Sequence, residues 1–278
     1  MAKRNRKDDE KRRRTCGTMD EHRHLAYLYP EYRRRRREIE LETRQFIARY
    51  AAEGLRTGVV RIPVVVHVVW NTAAQNVSDA QIQSQLAVLN ADFRRTNADA
   101  GSVPTSFAGV AADTRIEFAL AVRDPNCGVT TGITRTNTAT TGFTWATRNN
   151  IKSAAAGGSD PWPSDRYLNI WVANFTDNTL GFATFPGSSS ALDGFVVDTE
   201  AFGTLGTATS PFNLAARARM KSVTGSTCFT SGVTTPRSPI SAVGPTNAPT
   251  RLTKPMRPTE TLQVSESPAV TVRMATCT

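Results

Sequence analysis

The sequence predicts an α+β (α/β-like) fold over residues 59–214, a twisted mixed sheet with a backing helix. Three observations carry this expectation. Residues 62–70 read IPVVVHVVW, β-branched almost throughout, as in a central strand buried on both faces, with Pro63 at its start. Ser78-Asp79-Ala80-Gln81 forms a capping-box pattern, and Ile82, Leu86, Leu89 and Phe93 follow at helical spacing, so a helix is predicted over 79–94. Further strand patterns at 116–122, 167–172 and 194–198 are separated by loops containing Gly157, Gly158, Pro161 and Pro163. About 150 residues are enough for one compact core.

Residues 1–58 form a basic helical segment. The opening MAKRNRK runs directly into charge without an apolar stretch, so no secretory signal peptide is visible and cytosolic residence is the default expectation. From about residue 20 to 50, Leu25, Leu28, Ile39, Leu41, Phe46 and Ile47 recur among Arg and Glu, and Pro30 is placed to begin a second helix. Arg33 to Arg37 are five consecutive arginines. Such a run can bind nucleic acid or an anionic surface. Glu31, Glu38 and Glu40 stand close by, however, and no aromatic interleaving accompanies it, so it reads as a solvated helix face.

Charge divides the chain further. The net charge of +10 comprises 16 Lys and Arg against 9 Asp and Glu in residues 1–50, 10 against 13 in 51–214, and 8 against 2 in 215–278. Basicity therefore belongs to the ends, which makes nucleic acid an unpromising partner for the central part. No apolar run approaches the roughly 18 to 20 residues of a spanning helix, so no membrane partner is expected. Residues 215–278 hold 7 Ser, 13 Thr and 7 Pro and very few large apolar side chains. Too little surface can be buried there to offset chain entropy, and disorder is expected.

Four stretches carry a family resemblance: 61–69 (RIPVVVHVV), 90–97 (NADFRRTN), 167–172 (YLNIWV) and 206–214 (GTATSPFNL). They resemble the pappalysin family of metzincin zinc endopeptidases, in particular its short ulilysin-like microbial members, over residues 13–214. The resemblance implies a metzincin-type amino-terminal subdomain over 59–214, catalytic zinc, protein substrates, secretion, and a removable prosegment over 1–58 that is lost near Arg56 to Arg61. It also implies an active-site helix of the type H-E-x-x-H-x-x-G-x-x-H soon after the Asn-Leu pair, and later a methionine turn. This chain has neither motif.

A catalytic zinc needs three protein ligands and an open position, and a helix supplies two of them only from histidines four residues apart. The glutamate between them takes the proton of the metal-bound water. The three histidines here, His22, His24 and His67, are not spaced this way, and His67 sits inside a buried strand pattern. No catalytic residue and no metal ligand is assigned, and the chain as written is expected to bind no zinc and to be inactive. The alternative is a non-enzymatic binding protein using its basic ends on nucleic acid or acidic partners.

The tail explains the missing motif. Replacing each codon by the last base of its predecessor plus its own first two turns Met220-Lys221 into an obligatory glutamate codon. The neighbouring junctions permit H-E-[IV]-G-H-W-L-N-L-x-H-x-W-G-D, and Arg273 to Thr278 permit N-G-D-M-Y-M, a sequence of methionine-turn type. Residues 215–278 therefore read as an out-of-frame version of the active-site helix and carboxy-terminal subdomain, which makes Cys228 and Cys277 accidental.

Other features are minor. Arg13 to Thr18 resemble the latency segment of ulilysin-like proenzymes, in which a thiolate caps the zinc; this makes Cys16 a possible latency thiol, although without a metal it reads as an exposed thiol. Cys127 could pair with a tail cysteine only in an oxidising compartment. Asn76-Val77-Ser78 and Asn174-Phe175-Thr176 match the glycosylation sequon. Asp193, Asp198 and Glu200 read as surface loop acids, and the glycines of 202–207 lack the lysine of a phosphate loop.

Overall fold

The computed structural model describes residues 15–53 and 58–214; the segment expected to be out of frame lies outside the described residues. Strand β1 (Thr15–Cys16) and helices α1 (Thr18–Leu28) and α2 (Pro30–Glu53) come first. Then follow β2 (Val60–Trp70), α3 (Asp79–Phe93), the one-turn α4 (Thr105–Ala108), β3 (Ile116–Leu120), β4 (Ile133–Asn137), β5 (Leu168–Ala173), β6 (Thr179–Ala183) and β7 (Phe195–Asp198).

The strands form one seven-stranded mixed sheet in the order β1-β6-β7-β5-β2-β3, with β4 also on β2. All pairs are parallel except β6 with β7. The 11-residue β2 serves two partners on one edge: Val60 to Val64 pair with β3, and Val66 to Trp70 pair with β4. Between these two strands the chain leaves and rejoins β2 through Ala121 N donating to Val64 O and Val66 N donating to Gly132 O. Gly132 has φ +71°, and a Cβ there would stand 2.6 Å from Ala121 N, so both the turn and the close approach require glycine.

Period-two alternation divides β2 between two covered faces. Ile62, Val64, Val66 and Val68 pack under Ile82, Leu86, Leu89 and Phe93 of α3, together with Ile170, Val172, Phe195 and Val197. On the opposite face Val65 joins Ala121 and Tyr167, while Val69 joins Trp171, Phe182, Val196, Ile151 and Phe143. Double coverage explains the continuous β-branched run.

The amino end of α3 departs from expectation in one arm of its cap. Ser78 Oγ accepts from Gln81 N at 3.2 Å, but the Gln81 side chain, buried against the 199–207 segment, does not close a capping box. Strands β1, β4 and β6 were not legible in sequence. β1 is two residues long, β4 reads ITRTN with an exposed Arg135, and β6 contains Gly181, so none shows an apolar run or clean alternation.

Leu89 is fully buried beneath β2. Leu89→Ala should cost about 2–5 kcal/mol and Ser78→Ala about 1 kcal/mol in urea unfolding, whereas removal of an exposed side chain such as Val129 should cost little.

Candidate functional site

The three histidines do not converge. His67 is wholly buried on the face of β2 opposite α3. Asn169 Oδ1 accepts from Trp162 N at 2.8 Å while Asn169 Nδ2 donates to Trp162 O at 2.8 Å, which orients the amide. His67 Nε2 therefore donates to Asn169 Oδ1 at 3.0 Å, leaving Nδ1 to accept from Thr134 Oγ1 at 2.8 Å and from Ser159 Oγ at 3.3 Å. The ring stacks on Trp171 at 5.2 Å. Burial pushes the imidazole down from 6.5 to about 4, so it is a neutral, satisfied core residue, as its strand context predicts.

His22 bonds Tyr32 Oη at 2.8 Å through Nδ1, and His24 is exposed on α1. Among the described residues no group of three His, Cys, Asp or Glu could hold a metal ion. These side chains do not fit a zinc site.

The loop acids need correction. Asp198 is buried rather than on the surface, because its carboxylate accepts from Phe175 N and Glu200 N, both at 2.8 Å, and caps the turn after β7. Of the arginine run, Arg34 reaches Glu38 at 3.3 Å, Arg33 reaches the Ala26 carbonyl, and Arg36 lies 5.0 Å over the Phe185 ring. This is the solvated, partly engaged helix face expected from sequence.

Two constellations were missed. In the first, residues 15–28 are built into the sheet edge. Gly17 N donates to Gly181 O at 3.0 Å, and Thr18 Oγ1 accepts from Ala183 N at 3.1 Å. A Cβ on Gly17 would stand 2.1 Å from the Trp145 ring, so only glycine passes. Cys16, in β1, is half-buried rather than exposed, with Sγ 3.3 Å from Thr18 Oγ1. Glu21, wholly buried, accepts from Arg148 Nε at 2.6 Å across 127 residues of sequence.

The second is a clamp on the segment leading to Leu214. Gln81 Nε2 donates to Phe202 O at 2.8 Å and Thr207 Oγ1 at 2.9 Å, while its Oε1 accepts from Thr207 N at 3.2 Å. Gln85 Oε1 accepts from Gly203 N at 2.8 Å, and Ser84 Oγ from Thr204 N at 3.0 Å. A polar i, i+3, i+4 pattern at 81, 84 and 85 beside an apolar stripe is the one sequence signal that could have pointed to it.

No family model and no curated protein matches the chain. Solved structures do. A structure of a promirolysin mutant from Tannerella forsythia is 41% identical with a TM-score of 0.64, covering 76% of this chain and 66% of its own. Mature mirolysin from the same organism, in complex with a cleaved peptide, is 46% identical with a TM-score of 0.58, covering 61% of this chain and 63% of its own. Mirolysin in complex with a small compound is likewise 46% identical, with a TM-score of 0.57. The chain belongs with the pappalysin-like metzincins. It spans 63–66% of the length of these three structures. The mixed sheet with its helices matches the α+β amino-terminal subdomain of a metzincin, and the similar solved structures are metalloproteases.

Two outcomes follow. The unfolded-state imidazole titrates near 6.5 and the folded one near 4, so His67 takes stability away as pH falls through that window, by roughly 3 kcal/mol once pH is below both values. In His67→Gln that part of the acid dependence should vanish, as read from urea unfolding at pH 7 and pH 4. Gln81→Ala should raise amide exchange at Thr207 and Gln85→Ala at Gly203, and Gln81→Ala should cost about 1–3 kcal/mol because Phe202 O and Thr207 lose buried partners together.

Proposed function

We propose that residues 59–214 are the amino-terminal half of the catalytic domain of a secreted zinc endopeptidase acting on proteins, that residues 1–58 are its prosegment, and that the chain runs out of frame from about residue 215. As written, it neither holds catalytic zinc nor hydrolyses peptides. The observation that carries this reading is the out-of-frame H-E-x-x-H-x-x-x-x-x-H pattern, which begins six residues beyond Leu214, on a chain of which 76% is covered by the promirolysin structure.

Two further facts support it. The zymogen-form structure covers 76% of the chain against 61% for the mature form, the difference expected if the amino-terminal segment is a prosegment. That segment also lies along the β6 edge, pairing Cys16 with Gly181. An unpaired strand edge is what an extended peptide would join through main-chain hydrogen bonds, so residues 15–18 occupy a position a substrate could take. Cys16, on this strand, is the thiol proposed to cap zinc in the intact protein.

Sequencing the gene across the Leu214 codon tests the frame directly; an unbroken frame with no helix codons in any register would sink the reading. At the protein level, the chain as written should retain no stoichiometric zinc and leave casein uncut, and restoring the frame should bring both properties back. Zinc retained by the unrepaired chain would refute this placement of the ligands.

A further inference from the structure

Charged side chains are seldom buried unless paired, because desolvation costs several kcal/mol per ion. Three meet where α1 packs on the 3₁₀ segment Trp145–Lys152: Glu21, Arg148 and Lys152 are 0%, 7% and 3% exposed. The two cations belong to the body of the domain and are held there largely without the carboxylate. The Arg148 guanidinium lies 4.1 Å over the Trp145 ring and Nη1 donates to Trp145 O at 2.8 Å. The Lys152 ammonium lies 5.1 Å from the Trp171 ring centre and 4.9 Å from that of Phe182, donating to Leu192 O at 2.5 Å. Glu21 arrives from the amino-terminal segment, on a helix that follows the edge strand, and only its Oε2 is hydrogen-bonded among the described residues. Asp193 also lies within electrostatic reach of Lys152.

We propose that Arg148, with Lys152 beyond direct contact behind it, forms a carboxylate-binding site beside the β6 edge, filled by Glu21 in this chain and open to an acidic side chain of an incoming peptide once the amino-terminal segment departs. The cations are preorganised by aromatic faces and backbone carbonyls, so the site outlasts its present occupant. Without Glu21 the Arg148 guanidinium remains charged in a dry setting, while the Lys152 ammonium, already brought down to about 8 by burial, loses the carboxylate that holds it up; an anion of the right size restores both. The segment also shows the form of the ligand: a residue without a side chain against Trp145, its N–H donating to Gly181 O, and an acid four positions further on. The departure of the segment rests on the prosegment assignment above; the site itself is tested without any peptidase activity.

The full chain carrying Glu21→Ala is heated in acetate and in chloride at equal ionic strength. Acetate should raise its melting temperature and leave that of the parent unchanged; if the variant is unfolded in chloride, folding should return with acetate. A labelled peptide spanning residues 13–29 should bind the Glu21→Ala chain at least ~10-fold more tightly than the same peptide carrying Glu21→Gln. Equal responses to acetate and chloride, in the folded or the unfolded variant, or equal affinities of the two peptides, would overturn the proposal. Neither readout depends on zinc or on the reading frame, so failure here is separable from failure of the functional reading.

Discussion

The structure depends on the double burial of β2. Its side chains alternate between the α3 face and the Trp171 face, and its edges pair with β5 on one side and with β3 and β4 in succession on the other. From Val64 to Val69 a strand enclosed in this way leaves no position for a charged side chain, and its one charged residue, Arg61, lies at the exposed start and pairs with Glu117. The one polar side chain in that buried stretch, His67, is retained because Asn169, Thr134 and Ser159 supply its hydrogen bonds and because the ring remains neutral. From this strand outward each layer is positioned in turn: β5 and β7 on one edge, then β6, and finally β1 at the rim.

The rim is where the amino-terminal segment becomes part of the domain. Its strand adds only two residues to the sheet, too few to hold it by backbone bonds alone. Gly17 against Trp145, Thr18 on Ala183 and the buried Glu21 to Arg148 pair supply the remainder, and α2 continues the contact through Arg36 on Phe185. The segment is thus held by specific polar and aromatic contacts together with the buried Leu25 and Tyr32, and none of its residues joins the core under β2. The buried ion pair is strong only while both partners are present, since removal of either leaves a charge without its counterpart.

Much of the core was legible in sequence. The β-branched run of β2 and the apolar stripe of α3 appear directly, because full burial on both faces and helical periodicity each impose a composition that loops do not share. The edge strands were not legible, since a half-exposed strand tolerates Thr, Arg and Gly. Gln81 resembled a capping residue because its spacing from Ser78 is right; its amide is instead directed at Phe202 and Thr207, a choice made by residues about 120 positions away. Asp198 resembled a surface acid because acidity by itself says nothing about the backbone amides waiting for it.

By itself the sequence determined the family, the central strand and its backing helix, all of which reside in contiguous residues. Only the tertiary structure decided that Glu21 meets Arg148 beside Lys152, that Gly17 must pass Trp145, and that α3 clamps the segment leading to Leu214. The physical reason is that these contacts are long-range. Each is made by a single polar or small side chain whose partner is set by sheet order and register, and neither propensity nor periodicity records that order in one dimension.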